Sequence, residues 1–218
     1  MKVRRFNWSM AVMVAIALYA VRLPADIIHS NLGPGDSFDT SGGWNVSTLD
    51  SANHVDQDIA MPFTVIGTNH TFTSAELAMK LWLGGTPSLD ILLTADAGGV
   101  PGAVIETMSV TVGNDPALVT ATSVLNPTLV AGTTYWIATL AGGDHSSLWM
   151  LAGSPGGNNP MGTVGFSYDR GESWSTSIGE EAAFRVNGNV VPEPASLTML
   201  GLGFLGLLGH GWRRKRAA

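Results

Sequence analysis

The chain has 218 residues, enough for one domain of ordinary size, with 45% hydrophobic residues, 13% charged residues and 27 glycines. It contains no cysteine, which excludes disulfides and thiolate metal sites. Its formal net charge of −6 is unevenly spread: four basic residues lie within 1–25 and four at the C-terminal end, so residues 26–189 keep three basic and sixteen acidic side chains, a net −13. A surface of that sign repels nucleic-acid phosphates and anionic lipid headgroups, which excludes nucleic acid as a partner, and it keeps a domain soluble.

In chain order, Lys2, Arg4 and Arg5 form a basic start, and residues 10–21 form an apolar run ended by Arg22. This is the pattern of an N-terminal signal helix over 1–25, read by the general secretion machinery, with cleavage after Ala25 or after Ala20. Residues 26–58 are rich in Gly, Ser, Asn and Asp, with short strands expected near Phe38 and at 44–46 and another at 57–65. In 74–83 every odd position from 75 is apolar (Ala75, Leu77, Met79, Leu81, Leu83), while Glu76 and Lys80 fall on the opposite face. Individual propensities there favour a helix, but strict period two predicts a strand, because a helix would spread those residues around its whole circumference. Leu89, Ile91 and Leu93 continue the alternation, a long loop is expected over 96–102, and further strands over 104–112, 119–124, 133–140, 147–152, 163–168 and 182–187. About ten short strands with a turn signal every roughly 8–12 residues predict an antiparallel β-sandwich, jelly-roll-like, over 26–189.

Residues 190–218 differ from everything before them. Pro192, Glu193 and Pro194 form a stiff extended segment carrying one charge. Residues 197–212 carry no formal charge and, at about 1.5 Å per residue, cross most of a roughly 30 Å hydrocarbon layer as a single transmembrane helix. Arg213, Arg214, Lys215 and Arg216 are costly to translocate and should remain cytoplasmic. These three parts, in this order, resemble the PEP-CTERM sorting signal of Gram-negative bacteria that make exopolysaccharide. The resemblance implies an inner-membrane-anchored precursor cut near Pro192, Glu193 and Pro194 by an exosortase, an integral-membrane cysteine protease-transpeptidase. It implies a fate at the cell surface or outside the cell, and exopolysaccharide as a neighbour.

The body carries a second resemblance. Residues 89–93 and 96–102, then 129–137, then 183–188 are similar to the choice-of-anchor domains, type R, whose β-rich body is joined to whichever surface anchor the host uses. That implies fold and location, and no activity.

Motifs that would signal catalysis are weak. Gly201, Gly203 and Gly206 fit a dinucleotide-binding spacing, but they lie inside an apolar span instead of between a strand and a helix. The five histidines, at 29, 54, 70, 145 and 210, show no metal-ligand spacing, and no nucleophile elbow is present. Glu180 and Glu181 are adjacent, so on a strand they point to opposite faces and make no glycosidase pair. The expectation is a non-catalytic protein without an obligate cofactor. Two binding expectations stand beside it. Asp96, with the Asp36 and Asp39 region, lies among Gly turns that suit calcium, although Asp in such turns usually bonds its own backbone. Trp82, on the polar side of its strand, is the candidate platform for a neutral polysaccharide, whereas Trp136 belongs to the core.

Overall fold

The computed structural model describes residues 25–153, 159–192 and 201–204. The signal helix expected over 1–25 therefore lies, except for Ala25, outside the described residues. Thirteen strands run in the order β1 (Asp26–Ser30), β2 (Asp39–Ser47), β3 (Asp58–Thr64), β4 (His70–Leu81), β5 (Ser88–Asp96), β6 (Pro101–Thr111), β7 (Ala117–Thr122), β8 (Thr128–Leu129), β9 (Thr134–Leu140), β10 (Ser146–Leu151), β11 (Met161–Ser167), β12 (Ser175–Glu180) and β13 (Phe184–Val190). They form two antiparallel sheets, one following the path β1-β13-β4-β10-β2 with β7 and β8 also on β4, the other ordered β12-β11-β3-β9-β5-β6.

The first sheet is built around β4, the strand whose period-two pattern outweighed its helical propensities. His70–Leu77 and Met79–Leu81 divide one edge of β4 between β13 and β10, while β8 and β7 take the other edge. Ala75, Leu77 and Met79 are fully buried, facing Ile59, Met61, Ile91, Leu93 and Ile137 from the second sheet in one shared core. Trp149 of β10 closes that core, its indole donating to the Ala183 carbonyl at 2.9 Å and lying edge-on to Phe184.

Four expectations need correction. The alternation ends at Leu81: Leu83 is 44% exposed because the chain has already left the sheet for the 82–87 turn. The polar face of β4 is also partly covered, since Ala78 packs with Met150, Ala152 and Ala183 beneath Leu32 and Phe38 of the N-terminal segment. Residues 96–102 are no long loop: Asp96 pairs with Pro101 and Ala97 donates to the Val100 carbonyl at 2.9 Å, a tight hairpin end. Strands β1, β8 and β12 were not expected, and the two strands expected near 38 and 44–46 are one continuous β2.

The last strand determines where the chain leaves the body. β13 lies between β1 and β4, with Val190 opposite His70, and the Val191 amide donates to the Asn69 carbonyl at 2.9 Å. Arg185, near the start of β13, reaches Glu76 of β4 from Nε and Asp36 of the β1–β2 turn from Nη1, each at 2.6 Å. Paired carboxylates on a partly buried guanidinium fasten the final strand to both neighbours. Pro192 follows at once, exposed.

Candidate functional site

Pro192 sits on the surface at the end of β13. Glu193, Pro194 and the basic tail Arg213, Arg214, Lys215 and Arg216 lie outside the described residues. Of the transmembrane helix expected over 197–212, residues 201–204 are described, helical and exposed. Among the described residues no helix is long and apolar enough to cross a membrane.

Asp96 performs a local task. Its carboxylate accepts the Trp136 indole N–H at 2.8 Å and the amides of Gly98 and Gly99 at 3.1 Å, and the indole bond, ahead of the burial that opposes it, holds the acid below its ordinary value. It therefore anchors buried Trp136 and caps its own hairpin. Asp36 pairs with Arg185, and Asp39 accepts the Ser41 amide and hydroxyl at 2.8 and 2.6 Å. Among the described residues no three carboxylates or histidines gather as a metal-binding group.

Trp82 is 47% exposed, but it lies just beyond β4 in the 82–87 turn, so its exposure does not come from the polar face of the strand; its amide donates to the Ser146 carbonyl at 3.1 Å. A richer aromatic grouping lies elsewhere, at the turn between β11 and β12. Phe166 and Tyr168, two residues apart and so on one face of the strand, hold their rings 5° from parallel with centroids 6.5 Å apart. Trp44 crosses from the other sheet to meet Phe166 edge-on at 5.1 Å, anchored by its indole donating to the Glu180 carbonyl at 2.7 Å. Phe166, Tyr168, Asp169, Ser173, Trp174 and Ser175 line a shallow cleft of about 180 Å³.

The cleft's loop is pre-organised. Asp169 accepts the Ser173 amide at 2.9 Å, the Ser173 hydroxyl and the Ser167 hydroxyl at 2.8 Å, while Ser167 Oγ accepts the Gly171 amide at 2.8 Å. The Ser173 hydroxyl, then its amide, then Ser167 keep the Asp169 carboxyl below its ordinary value. Arg170 and Gly171 turn the chain at φ 61° and 79°, the left-handed region that lets seven residues fold back over their own strand. Nothing in the sequence marks this site, because a tyrosine, an aspartate and two serines in a Gly-containing turn carry no motif.

Three buried polar groups complete the inventory. His145 donates from Nδ1 to the Thr86 carbonyl at 2.7 Å and lies 2.8 Å from Ser147 Oγ through Nε2. Burial, the largest influence, lowers its pKa and keeps it neutral, so the Ser147 hydroxyl donates to Nε2. This is the contact of a nucleophile with its base, but His145 and Ser147 are both 0% exposed, so the pair has no face to offer a substrate. It clamps the 84–87 turn, where the Asp144 carboxylate also accepts the Thr86 amide at 2.7 Å and Gly85 has no room for a side chain against the Asp144 carbonyl. Glu106 accepts Ser123 Oγ and the Val124 amide at 2.6 Å and the Leu125 amide at 2.9 Å. Burial works against its charge, but those donors prevail and hold its pKa below the usual value. Asp58 differs: its Oδ1 accepts the Ala141 amide at 2.7 Å, its buried Oδ2 finds no partner among the described residues, and burial pushes its pKa up to about 7.

Residues 190–215 match the family described as the PEP-CTERM protein-sorting motif. That motif indicates an exosortase-sorted surface protein, exported as a membrane-anchored precursor in Gram-negative bacteria. Among curated proteins none matches the chain.

Proposed function

We propose that this protein is a non-catalytic component of the polysaccharide-rich exterior of a Gram-negative cell, delivered by an N-terminal export signal and separated from its membrane anchor by an exosortase. One observation carries the reading: the sorting motif matched over 190–215 begins on the last residue of the last strand, so the signal is appended to a complete β body and its removal takes no strand away. The body, read as jelly-roll-like and of the choice-of-anchor kind, is the cargo. Its charge of −13 over 26–189 suits a hydrated, neutral polymer better than an anionic one.

The mature mass tests the sorting. In a host that carries an exosortase, the protein should be trimmed near Pro192, Glu193 and Pro194, and replacing all three by alanine should leave the C-terminal segment attached in nearly all molecules. An identical mature mass in a strain lacking the exosortase would defeat the reading. A second reading, a module that binds neutral polysaccharide, is favoured by the aromatic cleft at the β11–β12 turn.

A further inference from the structure

The cleft between β11 and β12 combines features that Trp82 lacks. Tyr168 is 61% exposed and its ring lies parallel to that of Phe166, which Trp44 buttresses edge-on, so an aromatic face held from the core is presented to solvent. Aromatic faces of this kind offer large contact area at low conformational cost, with a polar edge that stays hydrated. Beside it stand a carboxylate, Asp169, and the hydroxyls of Ser173 and Ser175. The carboxylate is already oriented by Ser167 and Ser173, so little ordering cost remains when a ligand hydroxyl donates to it. The space, about 180 Å³, is below the roughly 300–1,000 Å³ of pockets that enclose a drug-sized molecule and suits one ring.

A pyranose ring has an apolar face of axial C–H groups and a rim of hydroxyls, which is the complement of this surface. An acidic sugar would bring its carboxylate against Asp169 and a domain that already carries sixteen acidic side chains over 26–189. We propose that the β11–β12 cleft seats a single uncharged hexopyranose unit of a polysaccharide on the Tyr168 ring, with Asp169 accepting from ring hydroxyls. The inference rests on the polysaccharide-binding reading and assigns its site.

The test uses the full chain in a non-glycosidic detergent, electrophoresed through gels containing a neutral glucan, a neutral galactomannan or a polyuronate. The expected result is retardation by at least one neutral polymer and not by the polyuronate. Tyr168→Ala should weaken that retardation about tenfold, as truncation of an aromatic anchor does, while Tyr168→Phe and Trp82→Ala keep it. Because Tyr168 is mostly exposed, the alanine variant should melt as the parent does, which separates lost binding from lost fold. No retardation of the parent by either neutral polymer would overturn both the polysaccharide-binding reading and its site. Retardation that Tyr168→Ala leaves intact would overturn the site alone, as would stronger retardation by the polyuronate.

Discussion

Replacing Asp58 by asparagine should raise the unfolding free energy at pH 8 by about 4 kcal/mol and change it little at pH 4. The carboxyl titrates near 7 in the folded protein, against about 3.9 in an unfolded chain, and each unit of difference corresponds to about 1.4 kcal/mol. The sign follows from proton counting. Between pH 4 and 7 the folded state holds a proton on Asp58 that the unfolded state has released, so stability falls as pH rises through that window and stays low above it. The groups that act on it are Asp56 and Asp169, which push its pKa up, and the Ala141 amide and Arg170, which pull it down; burial outweighs them all. In urea melts at pH 4, 6 and 8, the stability of the parent relative to Asp58→Asn should decline as pH rises, since the variant lacks only the Asp58 contribution. Parallel curves would place the origin of the slope in another group.

Glu106 presents the opposite case. Its three donors satisfy both carboxylate oxygens, so Glu106→Ala should cost about 3 kcal/mol, and Glu106→Gln, which keeps two acceptor contacts but loses the charge, about 1 kcal/mol. Because its folded pKa is depressed, the stability it contributes is present above its unfolded value of about 4.3 and lost as pH falls through the folded value. Chemical denaturation at pH 7 and pH 3 measures both: the deficit of the alanine variant should shrink at the lower pH. A deficit unchanged by acid would mean that packing of the Glu106 stem, and not its charge, holds residues 123–126. The two acids thus pull the pH of greatest stability toward the mildly acidic side, Glu106 limiting it from below and Asp58 from above.

The parts of the fold legible in the sequence are those where burial on one face writes a period of two. β4 was readable for that reason, against its helical propensities, whereas β9, buried on both faces, was readable through its β-branched and aromatic composition. β12 was not, because an outer strand paired only with β11 has no buried face to record; Ile178, its one large apolar side chain, is 71% exposed. β1 was missed for a different reason, since its five residues acquire their partner only from β13, late in the chain. The same contrast separates the two aromatic candidates. Trp82 was visible as an exception within a regular pattern, whereas the Tyr168 cleft depends on a turn geometry and a ring from the opposite sheet that no local spacing encodes. Asp96 was singled out for its glycine neighbours, and its partner proved to be an indole forty positions away.

The position of β13 also bears on timing. Asp26, at the start of the body, and Gly188, near its end, pair in the same sheet. Closing so long a separation is slow, and until it is closed β1 has no neighbour and about two-thirds of β4 lacks one edge. The residue that completes the sheet, Val190, is also the first residue of the matched sorting motif. A chain that ends before β13 leaves β1 and most of one β4 edge unpaired, and the strand that fills both places is the one that leads directly into the matched motif.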